Sequence, residues 1–201
     1  MDSQKNLKRL AIQEAALGLI SQKGYEGTTL EDIAGAVGYG KTSLYYYFDS
    51  KEAIVRSLIL ESLEDSTRKM DAILAESKDP WDNLSGLIGI YIDEYADKKS
   101  FFNIYQQVSA NLERILTNEE GAEIRRNMEA MTGRIIGLVT CGVLGGEFRQ
   151  EEPRLLAQMI LGMLHGLMHQ MTYGFGEKWD KERIKKNAVN MILAGIKREE
   201  K

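Results

Sequence analysis

The sequence predicts an all-α protein with about nine helices. Apolar residues recur at helical spacing along most of the chain, and short alternating segments bounded by turn residues are missing. The two prolines, Pro80 and Pro153, each stand where a helix would begin, because a missing backbone N–H costs nothing at that position. Gly24 and Gly38 each follow an apolar helical segment and are typical of left-handed helix caps.

The first fifty residues contain three helical segments in succession. An apolar stripe predicts the first helix over 3–22. A capping-box pattern, Thr28–Glu31, opens the second helix, which should end at Gly38. The third helix is expected over 41–48. Two short helices joined by a glycine-containing turn form a helix-turn-helix, so we predict such a domain at 1–50.

The remainder, 51–201, predicts one larger helical domain, since no linker or repeat divides it. Its helices are expected over 50–76, 80–96, 99–116, 119–144, 153–175 and 180–197.

Composition limits the possible partners and the location. The net charge of −4 gives no cationic excess, so any nucleic-acid contact must depend on a few well-placed cations. Cys141 is the only cysteine, which excludes an internal disulfide, and we expect it to be buried. The N-terminus has no apolar signal segment, and the longest apolar region, 155–168, is too short to span a bilayer. We therefore expect a cytoplasmic protein with no membrane partner.

Residues 35–42, GAVGYGKT, also match the phosphate-binding pattern of P-loop nucleotide-binding enzymes letter for letter. That loop requires a buried strand before it and a long helix after it. Here the preceding segment has the pattern of a capped amphipathic helix, and the following helix has room for two turns at most. A P-loop enzyme is therefore the second interpretation, after the helix-turn-helix.

Three consecutive tyrosines in the third helix cannot all face one core, because successive helical residues turn by about 100°. Leu44 and Phe48 share a face and should pack inward with Tyr47, whereas Tyr45 and Tyr46 should point outward. Hydroxyl groups and a lysine at the start of such a helix suit phosphates and base edges. The residues predicted to bind DNA are Thr28, Thr29, Tyr39, Gly40, Lys41, Thr42, Ser43, Tyr45, Tyr46 and Lys51.

Residues 7–56 contain a specific set in a specific order, namely Ile12, Ala15, Ala16, Leu19, Gly24, Tyr25, Thr28, Thr29, Asp32, Ile33, Ala34, Gly38, Lys41, Leu44, Tyr45, Tyr47, Phe48, Ser50, Lys51 and Glu52. This set resembles the DNA-binding domain of TetR-family transcriptional regulators. The chain departs from the family in having Gly40 where a hydroxyl residue is usual and Thr42 where glycine is usual. Details of base contact therefore do not carry over.

The resemblance implies a homodimeric regulator, in most members a repressor, that binds a double-stranded DNA operator. It also implies a small-molecule effector in the larger domain. Effector binding would move helix four, so that the two recognition helices no longer fit successive major grooves. A helical adaptor with a vestigial DNA-binding domain is a further alternative.

The segment 153–175 is apolar around most of its circumference, and a glycine pair within it allows close approach of another helix. We expect it to form a dimer bundle with the last helix; a monomer with an unusually buried helix is the alternative. The predicted interface residues are Leu155, Met159, Gly162, Gly166, Ile184, Ala188, Met191 and Ile192.

Aromatic and methionine side chains on the predicted central helices suit a pocket for an apolar effector, although an ordinary core would use the same residues. The candidates are Phe101, Phe102, Tyr105, Gln106, Met128, Met131, Ile135, Met163, His165, Met168 and His169. His165 and His169 share a helix face, but no nearby ligand completes a metal set in the sequence. No metal, cofactor or catalytic arrangement is expected, and we predict that the protein is not an enzyme.

Overall fold

The computed structural model describes residues 2–98, 101, 102, 104, 116–173 and 180–198. Within these residues the protein is all-α, which confirms the predicted fold class; the one extended pairing found there is a bridge between Phe148 and Lys197. Eight helices are described: α1 (Asp2–Lys23), α2 (Leu30–Ala36), α3 (Lys41–Tyr45), α4 (Lys51–Glu76), α5 (Pro80–Asp97), α6 (Glu119–Gly145), α7 (Pro153–Tyr173) and α8 (Lys181–Ile196). Most of the helix predicted over 99–116 lies outside the described residues.

The chain divides into two compact units. The first consists of Met1–Leu63 and Lys98–Arg126, and the second of Glu64–Asp97 and Asn127–Lys201. Each unit has its own set of buried apolar side chains. The predicted functional division after residue 50 remains a prediction.

In the first unit, α1 packs on α2 and α2 packs on α3. Gly24 and Gly38 have φ angles of 78° and 70°, so both lie in the left-handed region, as predicted for residues that end helices. At the end of α2, the amides of Gly38 and Tyr39 donate to the carbonyls of Gly35 and Ala34 at 3.2 and 2.9 Å. This pair of bonds closes α2 sharply and aims the chain into the turn before α3.

The N-cap of α2 lies one residue later than the sequence predicts. Thr29, not Thr28, is the N-cap: its hydroxyl accepts from the amide of Asp32, whose carboxylate accepts from the amide of Thr29. The capping box is therefore Thr29–Asp32 and not Thr28–Glu31. Hydrogen bonds from Thr29, together with the ammonium of Lys23, lower the pKa of Asp32 to about 2.

In the second unit, α5 packs against α7 and α8, and α7 also packs against α8. Apolar side chains from α5 to α8 meet in one buried cluster, to which Phe148 adds a ring in edge contact with Trp81. The central members of the cluster are Leu84, Ile88, Ile92, Val139, Val143, Leu156, Ala157, Ile160 and Leu164. This core accounts for the apolar residues on the inner face of α7.

α6 is the one described helix whose length and composition would allow it to cross a membrane. Its residues Leu138, Val139 and Val143 lie in the core of the second unit, and Arg134 on the same helix pairs with Asp71 at 2.6 Å. One side of α6 therefore packs into the core of the second unit. Cys141, which we expected to be buried, is exposed on α6.

The cap of α2 makes a testable prediction. Thr29→Ala should lower the free energy of unfolding by about 1 kcal/mol, because Ala cannot accept from the Asp32 amide. The pKa of Asp32 should rise from about 2 towards its ordinary value of 3.8. Because the pKa of Asp32 is lower in the folded than in the unfolded protein, its ionised carboxylate stabilises the fold at neutral pH. This stabilisation is lost as the carboxylate becomes protonated. The free energy of unfolding should therefore fall more in wild type than in the variant between about pH 4 and about pH 2.

Denaturation at several pH values and NMR titration of Asp32 would measure both effects. Thr42→Ala, which removes an exposed hydroxyl without a capping role, is the control. An unchanged Asp32 titration in Thr29→Ala would contradict the assignment of the cap.

Candidate nucleic-acid interface

The tyrosines of the third helical segment divide as the sequence predicts. Leu44 and Phe48 are buried, with relative exposures of 0% and 3%, while Tyr46 is 70% exposed and Tyr45 is 41% exposed. Tyr47 is half-buried and contacts the rings of Tyr39 and Tyr46. The predicted inward and outward faces are confirmed, and α3 presents two tyrosine side chains to solvent.

The N-terminus of α3 is open and polar. Its N-cap is Gly40, which has no side chain to satisfy the first amides of the helix. Thr42 and Ser43 follow in the first turn, and both are exposed. Lys41 forms an exposed ion pair with Glu31 of α2. This pairing raises the pKa of Lys41 and lowers that of Glu31, so both stay charged at neutral pH.

Arg9 of α1 holds the end of α3, a role that the sequence analysis missed. Its guanidinium donates to the carbonyl oxygen of Tyr47 at 3.1 Å and lies 4.3 Å from the ring centre of Phe48. Arg9 thus binds one residue through the backbone and stacks on the next. Nothing in the local pattern signals this contact, because the residues are 38 positions apart.

Two predicted DNA-binding residues are used by the fold instead. The Lys51 ammonium donates to the carbonyls of Tyr25 and Thr28, the latter at 2.7 Å, and lies 4.1 Å from the ring centre of Tyr25. Thr28 is 1% exposed, and its hydroxyl donates to the Gly24 carbonyl at 2.8 Å. These contacts direct both side chains into the protein, so neither is presented to a phosphate in this structure.

The other predicted DNA-binding residues remain at the surface. Thr29, Gly40, Lys41, Thr42, Ser43, Tyr45 and Tyr46 are exposed, and Tyr39 is half-buried. They lie on α2, α3 and the turn between them, within the first unit. The arrangement offers hydroxyl groups, an ammonium and the amides at the start of α3 to a phosphate-bearing partner.

The P-loop match has the wrong local structure. Gly35 lies inside α2, Gly38 and Gly40 lie in the turn, and Lys41 begins a helix of five residues. A phosphate-binding loop would continue into a long helix, which the described structure does not provide at Lys41. Residues 35–42 therefore match the P-loop in sequence but do not have the structure of a P-loop.

The predicted dimer residues separate into two groups. Leu155, Met159 and Met191 are 45%, 57% and 66% exposed, and Gly162 and Gly166 are also exposed. In contrast, Ile184, Ala188 and Ile192 pack into the core of their own unit, with Ile192 only 3% exposed. α8 turns that apolar face towards α5 and α7, so these three side chains stabilise their own unit, and a part for them in a dimer interface stays a prediction.

The predicted effector residues are also spread over different environments. Tyr105 and Gln106 lie outside the described residues, and Phe101 and Phe102 belong to the first unit. In the second unit, Met168 is buried and Met131 and Ile135 pack against the core, whereas Met128 is half-buried. Met163, His165 and His169 are exposed, and Met163 shares the outer face of α7 with Met159. Met163 is therefore misplaced as an interior residue, and the pocket itself remains a prediction.

Sequence comparison matches both parts of the chain to known protein domains. The sequence pattern of bacterial regulatory proteins of the tetR family matches residues 12–58, and the pattern of the tetracyclin repressor-like C-terminal domain matches residues 77–196. The HTH-type transcriptional repressor KstR2 of Rhodococcus jostii is 28% identical over 149 residues, which cover 74% of this chain and 72% of KstR2.

Solved structures share the fold. The ketosteroid transcriptional regulator KstR2 of Mycobacterium tuberculosis is similar with a TM-score of 0.81 and 21% identity, over 96% of both chains. AibR in complex with isovaleryl coenzyme A and operator DNA is similar with a TM-score of 0.73 and 21% identity, over 92% of this chain and 97% of AibR. At this level of identity the structural likeness shows the fold alone.

The internal contacts of Lys51 predict a stability effect. Lys51→Met keeps an apolar stem but removes the charged donor to the carbonyls of Tyr25 and Thr28. The Tyr25 carbonyl would keep only the Thr28 amide, at 3.4 Å. We expect the free energy of unfolding to fall by about 1 to 3 kcal/mol. Lys186→Met, at an exposed position of α8, should change it by less than about 0.5 kcal/mol. Equal denaturation midpoints for the two variants would contradict the structural role of Lys51.

Proposed function

Because this chain belongs to the TetR family of bacterial regulatory proteins, we propose that it is a repressor that binds a near-palindromic DNA operator as a homodimer and leaves the DNA when a small, largely apolar molecule binds. The single observation that carries the DNA-binding part is the exposed polar and aromatic surface of α3. The neighbouring side chains of Leu44 and Phe48 are buried, so they fix which side of this segment faces solvent. Tyr45 and Tyr46, on that outer side, are placed where a partner could bind them.

The exposed side chains of this surface fall into two groups, those that suit DNA phosphates and those that suit base edges. Tyr45, Tyr46 and Lys41 suit phosphates, since a phenolic hydroxyl and an ammonium donate to phosphate oxygens. Thr42 and Ser43, in the first turn of α3, suit base edges because their short hydroxyl side chains can both donate and accept. Lys41 would exchange its pairing with Glu31 for a phosphate. Both are exposed, so the exchange costs little.

A homodimer through α7 is supported by its outer face. Leu155, Met159 and Met163 follow one another at four-residue spacing, and all three are at least 45% exposed. Gly162 and Gly166 lie on the same face and have open space beside them. Such an apolar surface with small residues allows the same helix of a second copy to approach closely. Met191 of α8, 66% exposed, would extend the contact.

The proposed class of effector comes from the ligands and roles named for similar proteins. AibR is solved with isovaleryl coenzyme A and operator DNA, and a relative that is 24% identical is a fatty acid metabolism regulator of Bacillus subtilis. Acyl-coenzyme A thioesters are therefore the first class to test against this chain, with the apolar acyl group as the part that an apolar pocket would bind and the charged coenzyme A part left outside it. An effector that binds the DNA-incompetent conformation more tightly shifts the population away from DNA by its differential affinity. A regulator of this kind acts in the cytoplasm.

DNA binding and dimerisation can be tested together. The purified full chain should protect an inverted repeat in the DNA that flanks its own gene, and its mass in solution should be that of two chains. Isovaleryl coenzyme A and longer acyl-coenzyme A thioesters, added at increasing concentration, should reduce the protection. ATP with magnesium should have no effect. Tight ATP binding without DNA protection would favour the P-loop interpretation, and neither activity would favour an adaptor.

The tyrosines give a paired prediction. Tyr46→Ala should weaken operator binding by about 1 to 3 kcal/mol and leave the free energy of unfolding nearly unchanged, because Tyr46 is exposed. Tyr47→Ala should mainly destabilise the fold, because its ring packs against Tyr39 and Tyr46. Tyr46→Phe is the matched control, since it keeps the ring and removes only the hydroxyl. Anisotropy titration and thermal denaturation separate the two effects, and a large loss of stability in Tyr46→Ala would overturn this assignment.

A further inference from the structure

The N-terminal half of α1 carries a basic strip, which we define as Lys5 and Lys8. The ammonium of Lys5 lies 5.3 Å from the ring centre of Tyr46, and that of Lys8 lies 6.0 Å from the ring centre of Tyr39. Both lysines are exposed. The strip therefore lies beside the aromatic surface on α3 and its preceding turn, although it comes from a different helix.

Among the side chains that the structure describes, which begin at Gln4 in α1, none forms an ion pair with Lys5 or Lys8. Glu31 pairs with Lys41, and Asp32 pairs with Lys23. Glu14, the first acid after the strip along α1, is nine residues after Lys5 and so lies about 180° around the helix from it. Residues 1–50 have a slight excess of acids overall, yet the free cations lie on the aromatic side.

Arg9, the third cation in this part of α1, makes contacts within the protein. It donates to the Tyr47 carbonyl and stacks on Phe48, so it is committed to holding α3. Lys5 and Lys8 have only the weak attraction of an ammonium for an aromatic ring. That attraction keeps the ammonium groups near Tyr39 and Tyr46 and leaves their hydrogen-bonding protons available.

We propose that Lys5 and Lys8 form a phosphate-binding subsite that extends the DNA surface from α3 onto α1. This inference rests on the proposed function. An ammonium over a tyrosine ring and the hydroxyl of that ring are two donors that one stretch of DNA backbone could bind. Phosphate contacts of this kind are independent of base sequence and fix the position of the protein on the duplex. The subsite would thus place two positive charges at the DNA surface of a chain whose net charge is −4.

The test measures how salt affects DNA binding. The probe is a 30-base-pair duplex, on the order of three helical turns, that carries the inverted repeat protected by the wild-type protein. Its affinity is measured by anisotropy at several salt concentrations for wild type and for Lys5→Gln/Lys8→Gln. If each lysine contacts one phosphate, a dimer loses four contacts, and the slope of log K against log salt falls by about 3 to 4. At low salt we expect affinity to fall about ten-fold or more.

Two controls separate the subsite from other effects. Lys78→Gln/Lys186→Gln makes the same change in net charge at exposed positions of the second unit and should keep the wild-type slope. Lys5→Arg/Lys8→Arg retains the charge and should keep both slope and affinity near wild type. If the lysines only supported the tyrosine rings, the Gln variant would lose affinity without a change in slope, and this would overturn the subsite.

The outcomes also separate this inference from the proposed function. Wild-type binding with an unchanged slope in Lys5→Gln/Lys8→Gln overturns the subsite and leaves the regulator intact. A wild-type protein that protects no DNA overturns both. A reduced slope in the Gln variant, with wild-type slopes in both controls, supports the subsite.

Discussion

The five-residue helix α3 cannot be stable by itself, and the candidate DNA surface depends on the contacts that hold it. Burial of Leu44 and Phe48 fixes its inner side, and Arg9 binds the chain immediately after it. These contacts determine the rotation of α3 about its axis. The exposure of Tyr45 and Tyr46 is a consequence of that rotation, because residues on one turn cannot be moved independently.

The same unit is also tied to α4. Gln13 of α1 is buried, and its side-chain amide donates to Ser57 and Glu61 of α4 at 3.1 and 2.6 Å. Lys51, at the start of α4, donates to carbonyls in the segment between α1 and α2. A displacement of α4 would therefore carry α1 and α2 with it. These contacts lie within the first unit, and they would transmit a movement of α4 to the helices that precede α3.

Local chemistry made much of the fold predictable. Proline at the start of α5 and α7, and glycine after α1 and α2, act through their own backbone preferences, so their effects can be read without tertiary information. The inward and outward faces of α3 follow from helical geometry for the same reason. Thr28 and Thr29 mark the limit of such reasoning, since either can cap a helix and only the structure shows which hydroxyl is buried.

Contacts between distant segments were not predictable. The sequence does not show that Lys51 will reach Thr28 or that Arg9 will reach Tyr47, because each pair is brought together only by packing of helices. For a related reason, the sequence does not show that Ile184 and Ile192 pack into the core of their own unit. An apolar stripe on α8 shows that one face is covered, but not whether its own unit or a second copy covers it.

The proposed function requires that α3 and the turn before it contact DNA. Hydrogen–deuterium exchange of the full chain, with and without the duplex that it protects, can detect this contact. We expect slower exchange in peptides from residues 39–47 when the duplex is bound, and unchanged exchange in the core of the second unit around Ile160. Binding of the duplex with unchanged exchange over 39–47 would contradict this contact.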